Sequence, residues 1–381
     1  MMRLITSGVV ALLMMVSAHD AAAQKWIHAP RSFTILEEND TFAADSSDND
    51  YTQGLRIAVD FAVWNKHWDS GFRWQSFLVL GQALGLDVPP IERSCADGTE
   101  LKRRPCGSVT LSIGQTEYTP TDLTTTALVP TERPYAGYLW IGFARTALFQ
   151  RAQVTSEIDL GFVGPPAFAK EAQSLAHWTW ASNRARPLGW EHQLGNAPHL
   201  SLINQYSYRV AQFCGRECDG TYDEARWFDF TPRASLTAGT LMTRASFGGT
   251  VRLGFRIAET TTRQTITVTR AAATQKSDSP SPGWWRRRQP WVMGIASLDG
   301  HLVGHNTLLS GSWADVGPGE WREQRRIETV HGVREHSFGV GAGVTEATLI
   351  WQVVTRSAEY APARGQHRYG SITISVHQPA R

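Results

Sequence analysis

The chain has 381 residues, 42% hydrophobic and 19% charged, which excludes a disordered polypeptide and leaves enough apolar side chains for a sizeable folded unit. The formal net charge is +2, so nothing argues for a nucleic-acid-binding surface. The 33 Gly and 15 Trp residues suit tight turns between strands and an aromatic lining or girdle.

The first element is a leader. Met1-Met2-Arg3 is a short basic start, Leu4 to Val16 is a nearly continuous apolar run, and Ala21-Ala22-Ala23 is a small-residue cleavage site. Together they read as a secretory signal peptide over 1–23, leaving 24–381 as the mature domain. The apolar run is short for a bilayer span of about 20 residues, and no later stretch approaches that length. The exported chain is therefore either a soluble β protein or a β-barrel, whose strands carry a weaker hydropathy signal.

Beyond the leader, period-two alternation dominates, as strands with two different faces require. Clear cases are Gly54 to Phe61, Ser108 to Gly114, Gly249 to Arg256 and Gly370 to Val376. The pattern predicts strands near 32–42, 51–62, 107–118, 135–148, 153–164 and 200–213. Six more follow near 226–240, 244–258, 290–309, 332–344, 346–360 and 368–377. About twelve long antiparallel strands with unequal loops describe an all-β, closed outer-membrane β-barrel. A soluble β-sandwich is the alternative fold, although strands of this length are long for sandwiches.

Two stretches break the alternation. Residues 63–106 contain Trp, Pro and the first two cysteines, and read as an insertion. Residues 166–182 are opened by Pro165-Pro166 and rich in helix formers, so a short loop helix is predicted there. Cys95 and Cys106, then Cys214 and Cys218, form two locally spaced pairs. In an oxidising compartment they read as two loop-closing disulfides. A metal site is the weaker reading, since no Cys-x-x-Cys spacing is present. The last strand ends in Val376-His377 and not in the terminal aromatic usual for such barrels.

Three clusters hold candidate chemistry. Glu37 to Phe42 precedes Asp50 to Gly54, and a hairpin would bring Asn39 and Asp40 towards Thr52; an ordinary polar turn explains the same residues. Gln173 and His177 are four apart and share a helix face, with Glu171 nearby. Imidazole and carboxylate are the minimum for a general base that activates water, against the reading of a lone loop histidine. Gly114 to Pro120 and Glu132 to Tyr138 look architectural, although Arg133 suits a phosphate. No Gly-x-Ser-x-Gly elbow, His-Glu-x-x-His or phosphate loop appears.

Taken in order, these segments resemble a known family. Glu38-Asn39-Asp40, Tyr51-Thr52-Gln53-Gly54-Leu55, Gly114-Gln115, Tyr118-Thr119-Pro120 and Arg133-Pro134-Tyr135-Ala136-Gly137 carry the likeness. So do Gly161 to Pro165, Gln173 to His177, Gly189 to Leu194 and the run from Asp299 to Gly311. The chain is similar, over roughly 33–376, to the outer-membrane lipid A 3'-O-deacylases, which remove the 3'-linked acyloxyacyl chain.

The resemblance implies a twelve-stranded barrel with a site between its wall and a loop helix at the outer rim. It further implies His177 as base for water, Asp40 and Asn39 holding a calcium ion or the oxyanion, and Thr52 and Gln173 positioning the ester. Calcium suits a site lined by carboxylate and amide oxygens. The implied partners are lipid A in lipopolysaccharide and the outer-membrane lipid, with the site towards the cell surface of a monomer. Two features depart from the pattern: Asn183 stands where the family carries an acid, with Glu191 the next carboxylate, and the 63–106 insertion has no counterpart role. The rival readings are a non-enzymatic barrel, either a channel or an inactive member, and an outer-membrane phospholipase with a serine nucleophile.

Overall fold

The structure, a computed structural model, describes residues 30–43, 50–63, 107–148, 152–179, 186–214, 226–257, 290–311, 326–344, 346–363 and 365–377. Six long strands come first: β1 (Pro30–Asn39), β2 (Asp50–Val63), β3 (Gly107–Thr119), β4 (Ala136–Leu148), β5 (Ala152–Val163) and β6 (Ala197–Tyr208). The short β7 (Ala211–Cys214) is followed by β8 (Arg226–Gly239), β9 (Met242–Phe255) and β10 (Trp291–Asn306). After the two-residue β11 (Glu328–Thr329) come β12 (Gly332–Val344) and β13 (Ala347–Ser357). The two-residue β14 (Tyr360–Ala361) and the long β15 (Gln366–His377) complete the set. One helix, α1 (Ala169–Thr179), interrupts the β5–β6 connection, and a single turn, α2 (Thr307–Ser310), follows β10.

Every long strand pairs antiparallel with the next long one, and β1–β15 and β6–β8 pairings close the ring at twelve strands. Closure removes the sheet edges that a bilayer cannot satisfy. The side chains are ordered opposite to a water-soluble protein. On β5, Glu157 and Asp159 are buried while Ile158, Leu160 and Phe162 stand exposed; on β3, Thr110 and Ser112 are buried while Leu111 and Ile113 are exposed. Such an apolar outside around a polar inside is stable only against lipid. No described helix is long and apolar enough to cross a membrane; the strands are the crossing elements, and the sandwich is excluded by closure.

Many inward polar residues bond to one another across the strands. Arg252 grips Asp229 with two bonds, Nε to Oδ1 at 2.8 Å and Nη2 to Oδ2 at 2.6 Å. Arg233 donates to Thr250 and to Asp299, spanning from β8 over β9 to β10. Asp60 accepts from Ser32 and Thr110. Gly142 makes room for the neighbouring cluster: a Cβ there would lie 2.6 Å from both Glu157 Oε1 and Ser112 Oγ. Near the chain termini Trp291, Met293, Ile295 and Ile350 fill the lumen with apolar side chains. At the opposite, α1-bearing end Tyr51, Tyr118, Tyr138, Trp140 and Tyr369 do the same.

Strand ends differ from the periodicity-based expectation where an asparagine caps. Asn39 Oδ1 accepts from Thr41 N at 2.8 Å and opens a 3-10 turn at Asp40–Phe42, so β1 stops before 42. Asn306 Oδ1 accepts from Leu308 N and starts α2, so β10 stops before 309. The strand expected over 200–213 divides into β6 and β7. Cys214 is disulfide-bonded; Cys95, Cys106 and Cys218 lie outside the described residues, as do the signal peptide and 64–106.

Candidate functional site

Strand register sets out the site. On β3 the even residues face the lumen, so Gln115, Glu117 and Thr119 belong to the outer face with Leu111 and Ile113. Glu117 pairs with Gln53 on one side and Gly137 on the other, and Gln53 pairs with Asn39. Asn39, Gln53, Glu117 and Gly137 thus form one row across β1 to β4, on the outside of the barrel near the α1 end. A bulge interrupts the β2–β3 register between Tyr51 and Gln53, leaving Thr52 as the extra residue. Bulges re-aim side chains: Tyr51 turns inward, donating to Glu38 Oε2 at 2.7 Å, while the Thr52 hydroxyl meets that of Thr119 at 2.7 Å.

Polar residues on a lipid-facing wall need a cover, and the β5–β6 connection supplies it. Gly137 permits the closest approach, since a Cβ there would sit 2.5 Å from the Ala169 Cβ at the start of α1. Gln115 Nε2 donates to the Ala167 carbonyl at 2.5 Å, just ahead of the helix. Leu123, Tyr135, Ala169 and Trp190 pack together, with the Tyr135 and Trp190 rings 4.9 Å apart. This anchors α1 to the β3–β4 loop. Beneath the cover Glu117, Thr52, Thr119 and Gln173 are all buried.

Gln173 points its oxygen at Trp190, accepting from Nε1 at 2.9 Å. An indole N–H only donates, so the amide orientation is determined and its NH2 group is directed elsewhere. That nitrogen is buried with no hydrogen-bond partner among the described residues. An amide donor held in place without an acceptor is what an incoming anion or carbonyl needs. Asn39 is similar in kind: its oxygen is engaged by Thr41 N, which leaves its NH2 as the group on offer.

Asn39 and Thr52, two of the residues singled out in the sequence, thus lie near the same end of the wall. Asn39 and Thr52 lie on adjoining strands, Asp40 is fully buried in the turn directly after Asn39, and Gln173 is buried on α1, which packs on β3 and β4. His177 lies one helical turn after Gln173 on α1; its side chain is outside the described set, as is Asn183. Glu191 faces solvent and is held by Lys170 at 2.5 Å. That bond, with the nearby positive charge, lowers the Glu191 carboxyl below its ordinary value. Asp40 and Thr52 carry side-chain oxygens of the kind a hard cation prefers. Among the described residues no three His, Cys, Asp or Glu side chains gather as a metal site. Glu117, Thr119 and Trp190 are the site residues that sequence reasoning did not single out.

Arg133 is architectural. It is buried, stacked 4.3 Å above the Tyr118 ring and paired with Glu359 Oε2 at 3.3 Å. Burial raises the Glu359 carboxyl, but the guanidiniums of Arg356 and Arg133 outweigh it and hold the group below its usual range. This network ties the β13–β15 loop to the rim beside the patch.

Known proteins match along nearly the whole length. The profile of the family described as outer membrane protein LpxR covers residues 8–378. LpxR from Salmonella typhimurium superposes with a TM-score of 0.63 at 15% identity, over 91% of this chain and 100% of that one, which is a shared fold. The beta domain of the Bordetella autotransporter Brka is more distant, with a TM-score of 0.39 and 8% identity over 92% of this chain and 99% of its own. No curated protein sequence matches. A twelve-stranded barrel with an inverted polarity, and a family profile spanning it from end to end, lead to one conclusion: the chain belongs to the LpxR family of outer membrane proteins.

Proposed function

We propose that the chain is an esterase that hydrolyses the 3'-linked acyl or acyloxyacyl chain of lipid A, in a pocket between the barrel wall and α1 facing the cell surface. The observation that carries this reading is the buried polar patch on the lipid-facing side of the wall, roofed by α1 and containing the Gln173 amide donor. A lipid ester reaches such a pocket by moving sideways within the leaflet. A polar substrate from water would have no reason to meet a site on that face.

In this reading His177 takes a proton from water, and the water oxygen attacks the ester carbonyl carbon. The NH2 groups of Gln173 and Asn39 hold the oxyanion of the tetrahedral intermediate. Collapse breaks the bond to the 3' oxygen, and His177 returns the proton to that leaving oxygen. Thr52, fixed by Thr119, aligns the ester. Calcium, when bound at Asp40, supplies positive charge towards the same oxyanion. The channel alternative loses ground because many inward side chains, among them Glu157, Asp229, Arg252, Glu335 and Gln352, are buried.

The test is acyl release from purified lipid A by the protein in detergent, with calcium and with chelator, read by mass spectrometry. Asp40→Asn keeps the side-chain shape and removes its charge, so acyl release should fall steeply and recover in part at high calcium. An unaltered calcium dependence in that variant removes Asp40 from the metal role. Absence of acyl release by the wild type with calcium present leaves a non-enzymatic barrel.

A further inference from the structure

We propose that the outward face of α1 is a membrane-inserted edge, on which Phe168, Leu175 and Trp178, with Leu188 beside them, lie among the lipid acyl chains next to the pocket. Insertion stands on the surface alone; the consequence for substrate handling rests on the esterase reading.

On its outer side α1 carries two large apolar side chains, Leu175 and Trp178, beside the exposed Glu171 and Ser174. Its wall-facing side carries Ala169 and Gln173, both buried, whereas Leu175 and Trp178, three apart and so neighbours on one side, are 53% and 77% exposed. Phe168 and Leu188 are 57% and 48% exposed.

A second observation concerns the entry to the helix. Phe168 caps the 3-10 turn at Pro165–Ala167 with φ 56° and ψ 26°, the left-handed region. A bulky non-glycine residue is strained there, and helix ends of this kind ordinarily use Gly or Asn. Here the strained position holds an aromatic ring that gains little packing from protein. Exposure of that ring is unfavourable in water and is offset when the ring lies in hydrocarbon.

Continuity with the lipid-facing wall identifies the occupant as lipid. The connection leaves β5 immediately after exposed Leu160 and Phe162, and Gly164 N donates to the Gly137 carbonyl, keeping the chain against the outer wall. Exposed Ile141 and Phe143 continue the apolar surface on β4. The exposed Lys170–Glu191 pair gives α1 a charged flank suited to headgroups. An acyl chain lying along Leu175 and Trp178 would bring its ester to the edge under which Gln173 is buried.

The experiment places a nitroxide-bearing amino acid at position 175 of the full-length protein in phospholipid vesicles. Collision with oxygen is compared with collision with a water-soluble nickel chelate. Reference labels stand at position 141 on the wall and at position 122 in the exposed β3–β4 loop. The label at 175 should match 141, with high oxygen and low nickel access; a match to 122 overturns the proposal. Trp178→Asp should lose acyl release from lipid A in vesicles while retaining it on a short-chain ester in solution. Equal loss on both substrates overturns the acyl-holding role. A lipid-like label with no acyl release by the wild type sinks the esterase reading and leaves insertion standing.

Discussion

Gln173 shows how much one side chain's partner decides. Trp190 Nε1–H holds the amide oxygen, so in the proposed reaction the nitrogen is the group that meets the oxyanion. Gln173→Glu keeps the Trp190 bond and the shape but replaces the donor with negative charge where the oxyanion would form. Acyl release should fall by about 10²–10³, the range for losing one oxyanion donor, and unchanged turnover would remove Gln173 from that role. Asn39, Asp40, Thr52 and Gln173 could be named as candidates from the sequence through their motifs. Glu117 and Thr119 were not, because Gly114 to Pro120 reads as a plain strand end. Only register shows that Glu117 belongs to the outer row beside Gln53 and under α1. The turning of Thr52 was equally hidden, since the alternation from Gly54 onwards carries no sign of a bulge.

At the scale of elements, strands are legible because each has two environments, whereas their ends depend on local caps that the period does not encode. Asn39 and Asn306 end β1 and β10 early in this way. Inside the wall the strands are tied by charge pairs that need both partners. Asp229→Ala leaves Arg252 buried without its bidentate acceptor, which should destabilise the barrel by about 3–5 kcal/mol. Denaturant unfolding in micelles measures it, and a loss under about 1 kcal/mol would mean that water reaches Arg252. The rim responds to acid. The Glu359 carboxyl is held below its usual value by Arg356 and Arg133, so the folded state gains stability above the ordinary carboxylate range. That gain is lost as pH falls through the depressed value. Amide exchange of 358–363, corrected for intrinsic rate, should therefore rise in acid more steeply in the wild type than in Glu359→Gln. Parallel profiles would mean that this carboxylate does not hold the loop.

For the whole molecule, closure and inverted polarity turn a set of weak strand signals into one object. Twelve strands were countable from alternation, but the side of the wall that carries the site was not readable from the residues alone. It came from the family resemblance, and the register of β1 to β4 supplies its physical basis. A patch on the outer face is meaningful only because that face meets lipid and α1 covers it. The central claim is that this patch, with His177 as base, removes an acyl chain from lipid A. The most direct test is the mass of lipid A from a host carrying the intact 3' chain and making either the wild type or His177→Ala. Both proteins are first shown to be heat-modifiable barrels in the outer membrane. Wild type should shift lipid A by the mass of the 3'-linked chain, and the variant, with turnover reduced by about 10²–10⁴-fold, should leave it whole. Identical removal of the chain by both proteins would contradict the role of His177, and unshifted lipid A with the wild type would contradict the deacylase reading itself.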